Sequence, residues 1–452
     1  MPKRIFSVIL SFFLLISPIF AVSAYEPTGI DLTARNVLLV CLNTGETVYA
    51  KGENERVFPA SITKIMVVTL MLESPIYDPE AKVAMSEEAQ KLILGTGSVC
   101  SNLKVGEEIR QIDLVYYVLM SSCGDCAYLA ALTYGETVEN FVDMMNKKAQ
   151  ELGLENTHYV NPVGLHDENH YTTARDTYTL ATYALKNETF RTVCGKSRYE
   201  VPETNMYNRT RRLSTTNFLL DTSTNYFYSY ATGVKTGFTT EAGRCLVSTA
   251  VRRGNDGVDY SYMCILFGCE NKPTVKRYEF TESKNLFNWV FGNFVIKTIG
   301  DTKNPVDEVN VKLSSKAEFA TVYLESGFQS LLPKDADDST VRIEPHLNNK
   351  TVNAPISKGQ VLGTADIIYA NKVIGTVNLV SHDDIEKSTV LAAIDATANF
   401  FTSKFMKTVY VVVCGLILLL IVWILLLNRK KKTRSARKIR YVPYKEDKRN
   451  DR

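Results

Sequence analysis

The chain has 452 residues, 45% of them hydrophobic, with 52 Lys and Arg against 49 Asp and Glu and a formal net charge of +3. That hydrophobic content excludes a disordered chain, and a near-neutral balance whose excess sits in a C-terminal tail excludes the broadly basic surface of a nucleic-acid binder. About 380 residues separate two terminal apolar runs, enough for two domains rather than one core.

Lys3 and Arg4 precede an apolar stretch from Ile5 to Phe20 and the small residues Ala21-Val22-Ser23-Ala24. This predicts a secretory signal peptide over residues 1–24, cut after Ala24; a retained anchor helix is the weaker alternative, because the run is short and holds Pro18. From Asp31 to Ile299 the pattern is mixed α and β. Val37 to Leu42 and Thr47 to Ala50 flank Asn43-Thr44-Gly45-Glu46, a hairpin signal. Helical patterns follow from Ala60 to Leu72, Ile112 to Leu132 and Val138 to Leu152. Strand-like runs return at Cys245 to Arg252 and Tyr260 to Phe267, and a helix with Leu286, Trp289 and Phe294 closes the unit.

Between Asn304 and Ser381, short alternating runs separated by turn residues predict a small all-β domain, a sandwich. Asp383 to Lys407 reads as a helical stalk. Val409 to Leu427 has no charged residue and is long enough to cross a bilayer core. Arg429-Lys430-Lys431-Lys432 follows at once, so the positive-inside rule places the tail in the cytoplasm and the folded body outside. The predicted domains are a signal peptide at 1–24, an α+β domain at 25–299 and a β-rich domain at 304–382. A helical stalk at 383–407, a transmembrane helix at 408–428 and a basic cytoplasmic tail at 429–452 complete the chain.

Three stretches carry chemistry. In Phe58-Pro59-Ala60-Ser61-Ile62-Thr63-Lys64-Ile65-Met66, a helix starting near Ala60 puts Ser61 and Lys64 on one face. The apolar run to Leu72 predicts a helix buried on all sides. Burial lowers a lysine pKa, which makes Lys64 a candidate base and Ser61 a candidate nucleophile. The alternative is a capping Ser61 and a Lys64 that reaches the surface. In Met120-Ser121-Ser122-Cys123-Gly124-Asp125-Cys126-Ala127, Ser122 is a candidate second hydroxyl for proton relay. Lys235, Thr236 and Gly237 precede the strand from Cys245 to Thr249. A lysine and a threonine at a strand edge, beside a glycine that lets a backbone approach, suit an extended peptide ending in a carboxylate; the alternative is a turn with a surface lysine.

Of nine cysteines, Cys414 lies in the apolar span and the other eight fall in the extracytoplasmic part, where disulfides can form. Cys123 and Cys126 read as packing positions or a structural bridge, Cys245 and Cys264 sit in two late strands, and pairing stays open. His158, His166 and His170 lack metal-ligand spacing and read as structural or cleft-lining, so no metal site is expected.

Ser61-x-x-Lys64, Ser122-Cys123-Gly124 and Lys235-Thr236-Gly237, in that order, resemble the active-site set of the serine penicillin-recognising enzymes. More narrowly, the chain resembles the low-molecular-mass penicillin-binding proteins that are serine-type D-alanyl-D-alanine carboxypeptidases, peptidase family S11. Pro59 to Met66 is close to that family's nucleophile motif, and Lys235 to Gly243 matches its third element. Asn156 to Tyr159, Asn161 to Leu165 and His170 to Asp176 are similar to its interior signature. The resemblance covers Leu32 to Phe294 and implies an α+β penicillin-binding protein/β-lactamase-like transpeptidase fold, followed by a small β-sandwich and a C-terminal transmembrane helix. One departure stands out. The family's second element ends in asparagine, whose amide bonds the lysine and the substrate backbone, whereas this chain has Gly124. A water or Asp125 is the candidate substitute, and restoring asparagine at 124 is expected to raise turnover.

The resemblance implies attack by Ser61, with Lys64 as base, on peptidoglycan stem peptides ending in D-Ala-D-Ala. Ser122 relays the proton, and backbone N–H groups of Ser61 and Phe238 form the oxyanion hole. Lys235, Thr236 and Thr239 hold the terminal carboxylate, and Gly237 admits the substrate backbone. It implies β-lactams as covalent inhibitors, no cofactor and no nucleic-acid partner. Two other readings share these residues. One is a penicillin-binding cell-wall binder of weak turnover; the other is a class A-like β-lactamase, which needs a Glu-x-x-x-Asn that the Asn161 to Asp176 region lacks.

Overall fold

Strand β1 (Asn36–Cys41) is buried along its whole length, with Leu38 and Val40 in one core and Val37, Leu39 and Cys41 in another. Period-two alternation sends successive side chains to opposite faces, so a strand apolar on both must be covered on both. The coordinates are a computed structural model that describes residues 25–271, 276–436 and 444. The expected signal peptide and most of the basic tail lie outside the described residues.

Two compact units divide the chain. One runs to Ile299 and takes in Phe328–Arg342 and Ile368–Ile374; the other comprises Gly300–Gly327, Ile343–Ile367 and the chain from Gly375. In the first unit β2 (Thr47–Lys51) follows β1 through the expected hairpin. A 3-10 turn (Ala60–Thr63) then leads into α1 (Lys64–Glu73). A short ribbon, β3 (Lys82–Ala84) with β4 (Glu108–Arg110), brackets α2 (Glu87–Ile93). Helices α3 (Gln111–Leu119), α4 (Gly124–Gly135), α5 (Val138–Glu151), α6 (Ala174–Ala184) and α7 (Glu188–Cys194) come next. The hairpin β5 (Arg198–Val201) and β6 (Arg211–Ser214) leads to three long strands, β7 (Ala231–Thr239), β8 (Gly243–Arg253) and β9 (Asp259–Cys269). Helix α8 (Tyr278–Asn293) and strand β10 (Phe294–Ile299) follow.

The central sheet is antiparallel in the order β2-β1-β9-β8-β7. Strands from the two ends of the domain thus pair with helices inserted between them, the order expected. One face packs on α8 through Leu286, Phe287 and Val290; the other packs on α1, α3 and α4 through Val247, Met263 and Ile265. Eight consecutive residues of α1, Lys64 to Met71, are buried. Each fully buried apolar side chain in such a helix contributes about 1.5–3 kcal/mol, which holds α1 in the core without any side-chain N-cap.

Three elements differ from expectation. The helix expected over Ile112 to Leu132 is broken at Met120–Cys123, because Ser122 takes a left-handed conformation (φ 63°) that no α-helix continues through. The helix expected from Ala60 begins as a 3-10 turn, with Ala60 itself at φ 47°. Phe294 leaves the closing helix and opens β10, which pairs with β13 (Phe328–Pro333).

The second unit is built mainly from β11 (Pro305–Lys312), β12 (Phe319–Leu324), β14 (Val341–Leu347), β15 (Thr351–Asn353), β16 (Val361–Tyr369) and β17 (Lys372–Ser381). They form a six-stranded sheet in the order β14-β16-β17-β12-β11-β15, and the alternation of Val322 and Leu324 in β12 and of Ala365 and Ile367 in β16 supplies its core. The expected stalk is helical over α9 (Thr389–Thr402), where Ser388 caps Leu391, and again from Lys404; Ser403 is extended and breaks α9 from α10 (Lys404–Ala436). Within α10, Lys404–Arg429 is 26 residues of unburied apolar helix. At 1.5 Å per residue that is about 39 Å, longer than a bilayer core.

Candidate active site

The turn that carries Ser61, the candidate nucleophile, is held by a wall from the segment between α5 and α6. Lys64 Nζ lies 2.9 Å from Ser61 Oγ and donates to the Val163 carbonyl at 2.8 Å. Lys64 is fully buried, so the snorkelling alternative fails, and no side chain caps α1. Burial pushes the Lys64 pKa down to about 7, although Cys123, Asp125 and Cys126 pull the other way. Val163 is presented by a turn that Asn161 ties together: its Oδ1 accepts from the N–H groups of Val163, Gly164 and Leu165. Gly164 lies flat against the Ala60–Ser61 peptide. A Cβ there would stand 1.9 Å from the Ala60 oxygen and 3.0 Å from the Ser61 nitrogen, and at φ 85° the position favours glycine in any case.

The second hydroxyl is aimed by backbone conformation. Left-handed Ser122 turns its side chain toward β7, where Lys235 Nζ donates to its Oγ at 2.9 Å and to the Thr236 carbonyl at 2.8 Å. Lys235 is fully buried, and burial first, then Lys64, holds its pKa well below the usual lysine value. The structure thus brings Ser61, Lys64, Ser122 and Lys235 into one cluster between α1, the α3–α4 break and β7.

Strand β7 is the edge of the central sheet, and a sheet edge is where an extended peptide can pair as an added strand. Gly237 faces the nucleophile turn, and a Cβ there would be 3.0 Å from the Pro59 oxygen and 3.2 Å from the Ser61 nitrogen. The Ser61 N–H itself has no acceptor among the described residues. Phe238 is exposed beyond this gap, and Thr239 Oγ1 accepts from the Ala242 N–H at 3.0 Å.

Gly124 is enclosed by its neighbours. Its N–H donates to the Val99 carbonyl at 2.7 Å, and a Cβ at 124 would stand 2.6 Å from Ser98 Oγ and 2.7 Å from Ile93 Cδ1. The space of a longer side chain is therefore occupied by the end of α2 and the segment after it. Asp125 does not substitute for the missing amide. Its carboxylate already accepts from the N–H and Oγ of Ser101 and from the Cys126 N–H.

Other contacts were not assigned from sequence. Thr216 Oγ1 is 2.6 Å from Thr236 Oγ1, and its N–H donates to the Met120 carbonyl, so one residue links the Ser122 turn to β7. His170, whose spacing gave only a structural or cleft-lining reading, is buried and 2.8 Å from Thr63 Oγ1. Val163 and His170 lie in stretches whose family resemblance marked them; Thr216 had no such signal. The described cysteines are all free thiols. Cys245 and Cys264 do occupy adjacent strands, but on opposite faces of the sheet, in separate cores.

An antiparallel sheet between helical layers, with a Ser-x-x-Lys turn facing a Lys-Thr-Gly edge strand, defines the class of penicillin-recognising serine enzymes. Within that class the chain belongs to the D-alanyl-D-alanine carboxypeptidase family, peptidase S11, whose family model matches residues 21–258. Residues 297–387 match the C-terminal domain of penicillin-binding protein 5, and the apolar helix beyond them fits a membrane anchor. The chain is 29% identical over 408 residues to D-alanyl-D-alanine carboxypeptidase DacF of Bacillus subtilis, covering 88% of this chain and 99% of that one. It is 34% identical over 220 residues to the D-alanyl-D-alanine carboxypeptidase of Streptomyces sp. strain K15, covering 47% of this chain and 74% of that one. Crystal structures of penicillin binding protein 5 from Haemophilus influenzae superpose with a TM-score of 0.61 at 26% identity, covering 79% of this chain and 98% of that one.

Proposed function

We propose that the protein is a serine-type D-Ala-D-Ala carboxypeptidase that removes the terminal D-alanine from peptidoglycan stem peptides through an acyl-enzyme on Ser61. The observation that carries this reading is the 2.9 Å approach of Nζ of the fully buried Lys64 to Oγ of the half-buried Ser61. Neutral Lys64 takes the hydroxyl proton as Ser61 Oγ attacks the carbonyl carbon of the penultimate D-alanine. The N–H groups of Ser61 and Phe238 receive the oxyanion, where one preorganised donor contributes roughly 3–4 kcal/mol. The C–N bond then breaks, and the leaving amine takes a proton through Ser122. Lys235, Thr236 and Thr239 hold the carboxylate of the departing D-alanine, and an anion arriving beside Lys235 favours its protonated form. Gly237 keeps the edge of β7 clear for the peptide backbone. Water adds to the ester as Lys64 accepts its proton, the acyl C–O bond breaks with that proton passed to Ser61 Oγ, and the shortened stem leaves. The scheme uses no metal or organic cofactor. β-Lactams enter as mimics of the D-Ala-D-Ala end and acylate Ser61.

On this reading the chemistry belongs to residues 25–299, with 304–382 and the helices beyond them connecting it to the membrane. The signal peptide sends the catalytic unit outside, and the basic tail stays in the cytoplasm. Full-length protein in detergent, given diacetyl-Lys-D-Ala-D-Ala, is expected to release D-alanine, and Ser61→Ala to abolish release. Release that survives Ser61→Ala overturns the assignment. One observation favours a second reading, a penicillin-binding protein of weak turnover: at Gly124 the amide is missing and its space is filled. Labelling of Ser61 by fluorescent penicillin without D-alanine release selects that reading.

A further inference from the structure

We infer that His170 is a positioning residue that aims the Ser61 N–H, a deepening that rests on the oxyanion role given to that group above. Val160 N–H donates to His170 Nδ1 at 3.2 Å, which makes Nδ1 an acceptor and leaves the ring proton on Nε2. That proton faces Thr63 Oγ1 at 2.8 Å, and Thr63 Oγ1 donates in turn to the Ala60 carbonyl at 2.8 Å. The relay ends on the peptide bond whose other end is the Ser61 N–H. A peptide unit is planar and trans, so fixing the direction of its C=O fixes the opposite direction for its N–H. Gly164 packs on this same peptide, and Gly237 of β7 comes so close to it that a Cβ there would stand 3.2 Å from the Ser61 nitrogen.

The relay has a physical task. Ala60 is a non-glycine residue at φ 47°, a conformation that costs about 1–3 kcal/mol and persists only where its surroundings impose it. Left to itself the turn relaxes and the Ala60–Ser61 peptide rotates, carrying the donor away from the oxyanion. His170 is 2% exposed, edge-on to Tyr159, and burial pushes its pKa down to about 4, so the neutral tautomer persists at working pH. A neutral ring suits this place, since a second cation would sit close to Lys64. Among the described residues the ring makes no hydrogen bond to Ser61 or Lys64, and it reaches the turn through Thr63.

The test uses full-length protein in detergent and separates the noncovalent dissociation constant of a penicillin from its acylation rate constant by stopped flow. His170→Asn keeps an acceptor for the Val160 N–H but removes the donor to Thr63, whereas His170→Gln places its amide N–H where Nε2 was. Losing one oxyanion donor outright costs about a hundredfold or more, so a misaimed one is expected to slow acylation by about 10- to 100-fold in His170→Asn. The dissociation constant should stay within about twofold, and His170→Gln should recover most of the rate. Thr63→Val, which keeps the shape of the side chain, should lose as much as His170→Asn, and the double variant no more than either. If His170→Asn fails to fold, Thr63→Val against Thr63→Ser decides the same point. An acylation rate within twofold of wild type in Thr63→Val or His170→Asn overturns the inference, as does an equal loss in binding and rate. A wild-type protein that neither releases D-alanine nor takes penicillin rejects the carboxypeptidase reading itself, whatever the variants do.

Discussion

Gly124 and Ile93 are packed so closely that a Cβ at position 124 would stand 2.7 Å from Ile93 Cδ1, with Ser98 Oγ at 2.6 Å on another side. The resemblance of Ser122-Cys123-Gly124 to the family's second element implies asparagine here and a gain in turnover on restoring it. The packing predicts the opposite. Gly124→Asn overfills the contact and is expected to destabilise the protein by about 1–3 kcal/mol, and to lower D-alanine release. Trimming Ile93 to Ala in the same chain should relieve part of both losses. Chemical denaturation together with the release assay checks this; a more active Gly124→Asn protein of unchanged stability would show that Ile93 and Ser98 yield freely.

A buried amine with a pKa of about 7 gives the reaction a pH signature. On the proposed mechanism the active form is neutral Lys64, so protonation as pH falls removes the base. The rate constant kcat/KM should rise with pH through a midpoint near 7, a limb belonging to the coupled Lys64 and Lys235 pair. A profile flat from pH 5.5 to 8.5 contradicts a lysine base.

Asp125 adjusts that midpoint. Its carboxylate favours the charged form of Lys64, and it is satisfied by Ser101 and Cys126 rather than by anything in the cleft. Asp125→Asn removes the negative charge, so the Lys64 pKa falls further and the acid limb should move to lower pH. Stability should drop by about 1–3 kcal/mol as buried donors at Ser101 lose acceptors. Movement of the limb to higher pH would reverse the electrostatic account.

Thr216 is predicted to matter for the carboxylate end of the substrate. Thr216→Val removes the hydroxyl 2.6 Å from Thr236 Oγ1, a bond worth about 1 kcal/mol, so KM should rise roughly fivefold with kcat nearly unchanged. A fall in kcat at constant KM would place Thr216 in the chemical step instead.

The spacing of Ser61 and Lys64 and the apolar run behind them were legible because a helix face is a local property of the chain. The sheet was legible for a related reason: Val37 to Leu42 and Tyr260 to Phe267 are apolar on both faces, as strands covered on both sides must be. Ser122 was readable as a hydroxyl but not as a helix break, since a left-handed serine leaves no pattern in composition. What encloses the cluster was not legible. Val163 lies 99 positions from Lys64, and Lys235 lies 113 from Ser122, so only the tertiary fold decides which meets which. The same holds for Gly124, where the missing side chain was visible and the packing of Ile93 and Ser98 was not. Cys245 and Cys264 show the limit in reverse, adjacent in strand order yet separated by the sheet.

On the proposed mechanism the Ser61 hydroxyl, activated by Lys64, becomes the acyl carrier. Intact-mass and peptide mapping of full-length protein treated with benzylpenicillin should find one adduct, on the peptide that contains Ser61, in wild type and none in Ser61→Ala. An adduct on another residue, or one that persists in Ser61→Ala, contradicts the account.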